Sequence, residues 1–196
     1  ISIKAEGPYS GAAGRGISIG GTISTNGSGN ISIDGISHTS SDGIGIGDSK
    51  PATINIQNGT LTLNGTKGTG ANGINFSTAG SAINITGSGF VNANATGRIN
   101  LNLGKINKSG SGASNLTLKA TDHIVMEKSF KIESTSGELN TTLHSDSDGT
   151  NGGVIWLKGN GYNNPFQGAT INTNGGFLTL SGGINTTTGY AQGMDN

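Results

Sequence analysis

Apolar and polar residues alternate along this chain in short bursts. Ile-Ser-Ile, Ile-Asn-Ile, Leu-Thr-Leu and Leu-Asn-Leu triplets recur at residues 17–19, 31–33, 54–56, 61–63, 83–85, 101–103, 116–118 and 178–180. A period of two sends apolar side chains to one face of a β-strand and Ser, Thr or Asn to the other. The spacers are Gly-Gly, Asn-Gly, Asp-Gly and Gly-Ser-Gly, which supply positive φ where a chain must bend. The one long stretch without glycine, Ser114 to Ser136, still alternates through Leu116, Leu118, Ala120, Ile124, Met126, Lys128, Phe130 and Ile132. It predicts two strands joined at Lys128, not a helix.

The bursts repeat on a longer scale. ATINIQNGTLTLNG (52–65) and ATINTNGGFLTLSG (169–182) agree at nine of fourteen positions. ISIGGTISTNGSGNISI from Ile17 and LNLGKINKSGSGASNLTL from Leu101 share a looser plan of strand, Gly, strand, Gly-Ser-Gly turn and strand. Asp42-Gly43-Ile44 is echoed by Asn72-Gly73-Ile74 thirty residues on. A unit of about 20–30 residues belongs to stacked-coil solenoids. Asn-Gly between strands would also suit hairpins. Against an antiparallel sandwich stand the very short strands and the scarcity of bulky core residues, with five Phe, three Tyr and one Trp. A parallel β-helix needs only a narrow aliphatic column, each short strand stacked on its counterpart in the next coil. The predicted fold is therefore all-β, a parallel β-helix with coils of about 20–30 residues. Ile17, Ile19, Ile54, Ile56, Ile83, Ile85, Leu116, Leu118, Leu178 and Leu180 should face inward.

Composition supports this and narrows the partners. Glycine supplies 37 of 196 residues, and Gly, Asn, Ser and Thr together 105. Such residues disfavour helix interiors. Leu, Ile, Val and Phe total only 41, so the core is thin. Eleven basic residues balance eleven acidic ones with no basic block, which argues against nucleic acid or an anionic membrane as partner. No apolar run approaches the ~18 residues of a membrane span. There is no cysteine, hence no disulfide framework or thiolate metal site. The chain starts at Ile1 and reads as a piece of something longer. It is taken as one unit over 1–196, with Gly/Ser/Asn-rich coils in 1–113 and coils around an Asp-Ser-Asp-Gly turn in 114–196.

NLTLKATDHIVMEKSFKIESTSGELNTTLHSDSDGTNGGVIWL (115–157), followed by INTNGGFLTLSGG (171–183), resembles the repeat regions of two-partner-secreted exoproteins. These are the filamentous-haemagglutinin-like and high-molecular-weight adhesins of Gram-negative bacteria. The triplets of residues 14–104 are similar in style. The resemblance implies a right-handed parallel β-helix in a long, secreted, surface-displayed fibre, exported through an outer-membrane transporter partner. The family's secretion domain carries Asn-Pro-Asn motifs. Here only Asn164-Pro165-Phe166 occurs, so the chain is read as shaft rather than secretion signal.

Candidate chemistry is sparse. His38, His123 and His144 stand at no common ligand spacing and read as solvated turn or strand-face residues. Asp146-Ser147-Asp148-Gly149-Thr150-Asn151 offers alternating hard oxygens, yet lacks the later Gly and distal Glu of a calcium loop, so a plain turn is expected. No metal, catalytic or cofactor-binding residue, and no cofactor, is assigned. Among the acids, Glu127 and Glu133 are separated by Lys128 and Lys131, while Asp34, Asp42 and Asp48 sit in turn-like context. The chain has two arginines, Arg15 and Arg98. Eleven Asn-x-Ser/Thr sequons start at Asn26, Asn30, Asn58, Asn64, Asn75, Asn84, Asn94, Asn107, Asn115, Asn140 and Asn185. Their excess follows from outward polar positions lying two apart on a strand.

The expected function is thus a non-catalytic shaft of a secreted adhesin, meeting a host or bacterial surface glycan or protein receptor. A glycan-active β-helix enzyme is the alternative, favoured if two acids and an Arg or Lys meet in one groove. A flat Thr-x-Thr surface of the ice-binding kind has little behind it beyond Thr60 to Thr62 and the Thr186–Thr188 run. Unpaired strand edges at the two ends, near Ile1 and Asn196, predict end-to-end association.

Overall fold

The computed structural model describes residues 1–9, 14–70, 72–150, 152–159 and 168–184. Asn164-Pro165-Phe166, Asn151, Asn185, the Thr186–Thr188 run and Asn196 lie outside the described residues. Within them the alternation becomes nineteen strands in three sheets and no helix. The first sheet stacks β1 (Ser2–Glu6), β4 (Ile31–Ile36), β7 (Thr60–Thr66), β10 (Phe90–Thr96), β13 (Ser114–Ala120), β16 (Leu139–Ser145) and β19 (Leu178–Gly182). The second stacks β2 (Ile17–Ile19), β5 (Ile44–Ile46), β8 (Asn72–Phe76), β11 (Arg98–Leu101), β14 (Ile124–Met126) and β17 (Ile155–Leu157). The third stacks β3 (Thr22–Ser24), β6 (Thr53–Ile56), β9 (Ala82–Ile85), β12 (Lys105–Lys108), β15 (Lys131–Ser134) and β18 (Thr170–Asn172). All pairings are parallel, and each coil gives one strand to each sheet: a right-handed parallel β-helix.

The register measures the coils. Ile31 pairs with Leu61 and Thr60 with Phe90, a step of 30 residues. Phe90 pairs with Asn115 and Ser114 with Leu139, a step of 25. Five residues, 67–71, join β7 to β8, whereas Gly97 alone, at φ 85°, joins β10 to β11. Most of the shortening therefore falls at this corner, and a register shift between Arg98 and Ile99 takes up the rest. Thr141 pairs with Leu178, a step of 37, longer than the expected unit. Here the offset grows from 25 at Lys119–His144 to 31 at Ile124–Ile155 and 39 at Ile132–Ile171, so the extra length falls both between β16 and β17 and between β17 and β18.

The core is built from columns of like residues. Ile17, Ile44, Ile74, Ile99 and Ile124 stack in the second sheet, and Ile54, Ile83, Ile106 and Ile132 in the third. All nine are 9% exposed or less. Burying one such side chain contributes ~1.5–3 kcal/mol relative to leaving it in water, so a thin column suffices when every coil repeats it. Phe76 and Phe130 meet edge to face inside, ring centroids 5.3 Å apart.

Two of the three repeats occupy equivalent places. Residues 52–65 and 169–182 both run from the third sheet into the first, four coils apart, while Ile44 and Ile74 pair directly. Three expectations need correction. Residues 114–136 form three strands, β13, β14 and β15, with Lys128 exposed in the second corner. That corner turns without glycine because Ser129 itself adopts φ 81°. The 101–103 triplet is not a strand: the chain leaves the sheet after Leu101, and Ile99-Asn100-Leu101 pairs instead. Leu178 and Leu180, expected inside, are 46% and 43% exposed, because β19 is the last strand of its sheet and no described strand covers it. The other eight residues expected inside are buried.

Candidate functional site

The outer faces are organised by amide ladders. In-register stacking puts outward residues of successive coils one strand spacing apart, ~4.8 Å, within reach of a side-chain amide. An Asn amide both donates and accepts, so it can link to the coil below and the coil above. On the third sheet Asn84 Nδ2 donates to Asn55 Oδ1 at 2.9 Å, and Asn55 Nδ2 to Ser24 Oγ at 2.9 Å. On the first, Asn94 donates to Asn64 at 3.0 Å and Asn64 to Asp34 at 2.5 Å, while Asn140 donates to Asn115 at 3.1 Å. On the second, Asn100 donates to Asn75 at 2.9 Å. Asn64 and Thr66 both stand outward on β7, which is how a ladder position writes a sequon. Asn26, Asn30 and Asn58 are exposed in corners.

The structure brings together three charged residues that the sequence kept apart. Asp42 and Asp48 flank β5, and Arg15 precedes β2 one coil below. Arg15 Nε lies 3.4 Å from Asp42 Oδ2 and its Nη2 3.3 Å from Asp48 Oδ1. Asn72 and Asn75 each donate to Asp42 at 2.9 Å. Ser18 Oγ donates to Asp48 at 2.6 Å and Ser77 Oγ at 3.0 Å. Gly45 makes room for this: a Cβ there would stand 2.3 Å from Asp48 Oδ2. The cluster spans three coils, and its only signal in the sequence is a set of separations close to the coil length. Both carboxylates are filled by donors, an arrangement that ties coils together as surely as it could serve chemistry. Asp34 lies on β4 rather than in a turn, because its side chain begins the Asn64–Asn94 ladder.

Glu127 and Glu133 find partners in other coils, not in Lys128 and Lys131. Glu127 Oε1 accepts from Lys158 Nζ at 2.5 Å, and Glu133 lies 3.6 Å from Lys105. The histidines are only partly as expected. His38 stacks on Tyr9 with centroids 3.9 Å apart, and His123 sits beside Asp122 at 3.1 Å. His144 is buried on β16, and its Nε2 donates to Gly183 O at 2.6 Å. It stands on the penultimate strand of the first sheet, in register between Lys119 and Ser181. Asp146 and Asp148 form a turn: Asp146 has φ 50°, Gly149 N donates to Asp146 O at 2.9 Å, and Thr150 N donates to Asp148 Oδ1 at 3.2 Å. No cluster of three or more potential metal ligands occurs among the described residues.

Beside this turn a polar concavity of about 450 Å³ runs along the first sheet. Asn64, Asn94, Thr66, Thr96, Lys119 and Asp148 line it. Amides and hydroxyls at coil spacing along one groove can hydrogen-bond to a repeating polar polymer. No family model matches the chain, and neither a curated protein nor a solved structure is significantly similar to it.

Proposed function

We propose that the chain is a non-catalytic shaft segment of a large secreted adhesin on the surface of a Gram-negative bacterium. It would be exported through an outer-membrane transporter partner and hold or present a surface for a glycan or protein receptor. The supporting observation is the in-register stack: the same three-strand coil recurs with aliphatic columns inside and amide ladders outside. A solenoid of this kind lengthens by adding coils without enlarging its core, which suits a rod. The glycan-active reading draws on Arg15, Asp42 and Asp48, two acids and a base brought to one face.

One assay separates the two. Beads coated with the chain are tested for adherence to glycan-bearing surfaces and for release of reducing or unsaturated ends from polysaccharides. The shaft reading expects adherence, or mere spacing of a fused binding domain, with no cleavage. Cleavage that Asp42→Asn or Asp48→Asn abolishes would replace it with the enzyme.

A further inference from the structure

The ladder on the outer face of the second sheet stops abruptly. Asn75 and Asn100 occupy its outward column in β8 and β11, but in register above them stand Val125 and then Trp156. Val125 is buried, whereas Trp156 is 41% exposed. A hollow of about 180 Å³ opens here, lined by Arg98, Val125, Glu127, Val154, Trp156 and Lys158, with His123 at its rim. At ~30 Å³ per water it holds about six waters' volume, the room one small ring needs.

The charges around the hollow are not all paired. Lys158 Nζ is committed to Glu127 at 2.5 Å and lies 4.1 Å from the centroid of the Trp156 ring, which fixes the indole in place. His123 Nδ1 accepts from Val154 N at 3.0 Å, and its Nε2 faces Asp122 at 3.1 Å. Arg98 differs: its Nε is buried with no hydrogen-bond partner, and its guanidinium has no ion pair among the described residues. A guanidinium is always charged, and a forked donor of that kind is matched by a planar carboxylate. A guanidinium without an ion pair, beside an exposed indole and two valines, is a place for an anion carried on a flat or puckered ring.

We propose that this hollow binds a small ring-borne carboxylate, its acid group on Arg98 and its ring against Trp156. The site goes beyond the shaft reading and stands or falls without it. An acidic sugar and an aromatic acid share the required chemistry, so both serve as probes. Trp156 is the only tryptophan in the chain, and its fluorescence reports on this hollow alone. The intact chain is titrated with galacturonate, benzoate and neutral galactose. The expected result is a saturable emission change with a carboxylate, at least tenfold weaker with galactose. Tighter binding of galacturonate identifies an acidic sugar; tighter binding of benzoate identifies an aromatic acid. Arg98→Gln should weaken binding at least tenfold. Val125→Glu, which supplies an internal carboxylate to the hollow, should abolish binding while the circular dichroism of the sheets stays unchanged. Equal response to galactose, unchanged affinity in a folded Arg98→Gln, or no saturation up to about 50 mM, well above the millimolar range of a few polar contacts, would overturn the assignment.

Discussion

Lys108 takes, in β12, the inward position that Ile85 holds one coil below and Ser134 one coil above. It is fully buried. Its ammonium donates to Gly110 O, and to Ser136 O at 3.1 Å, so backbone carbonyls of two successive corners hold the charge in place of a carboxylate. Burial draws its pKa below the ordinary 10.5. Between the lowered native value and 10.5 the unfolded chain keeps a proton that the native chain releases. Stability therefore rises with pH across that window and is flat in this respect below it. Denaturant midpoints measured at rising alkaline pH should show the rise, and Lys108→Met should flatten it. The same variant should lose about 1–3 kcal/mol at neutral pH, because two carbonyls are left without a donor. An equal rise in Lys108→Met would assign it to other groups. Alternation in Lys105-Ile106-Asn107-Lys108 puts Lys108 on the same face as Ile106, but a lysine there reads as the end of the inward run and not as part of the core.

Inside the strands, Gly35, Gly65 and Gly73 of the Asp-Gly and Asn-Gly motifs answer to neighbours and not to their own φ, whereas Gly27, Gly149, Gly152 and Gly175 take positive φ in corners. Gly65 of β7 lies in register between Gly35 and Ala95. A Cβ on Gly65 would stand 2.1 Å from Gly73 O across the corner from β7 to β8. One coil later that corner shrinks to Gly97, and Ala95 fits. Gly65→Ala should accordingly cost about 1–3 kcal/mol in equilibrium unfolding, an overpacking penalty. Ala95→Gly should cost no more than ~1 kcal/mol, the entropic penalty of glycine in a strand. Equal losses would mean that the close approach relaxes freely. The sequence flags these glycines as turn formers. That they serve close contact is visible only once the strands are paired.

Across the whole molecule, the inward column of the first sheet runs Ile3, Ile33, Leu63, Ala93, Leu118, Leu143 and Leu180. Its two ends have no further described strand: Ile1 is 57% exposed at one, Leu178 and Leu180 46% and 43% at the other. A second copy set head to tail would continue the column, Ile3 over Leu180, in a heterologous contact that does not close. This chain by itself should form concentration-dependent end-to-end oligomers in sedimentation velocity. Ile3→Lys with Ala5→Lys should reduce them without changing the strand content. A monomer at every concentration would mean that the ends are covered.

The sequence alone determined the class of fold, because a period of two in short bursts, a unit of about 20–30 residues and an aromatic-poor composition have few joint solutions. It determined the inward residues wherever a coil lies on both sides, since alternation fixes the face of each strand. It did not determine where the strands of 114–136 break, because Ser129 turns without glycine, nor that Leu178 and Leu180 end a stack. The Arg15–Asp42–Asp48 cluster, the amide ladders and the hollow beside Trp156 were decided by tertiary structure. Each joins residues about one coil apart, and only the register, set by 25-, 30- and 37-residue steps, says which of them become neighbours.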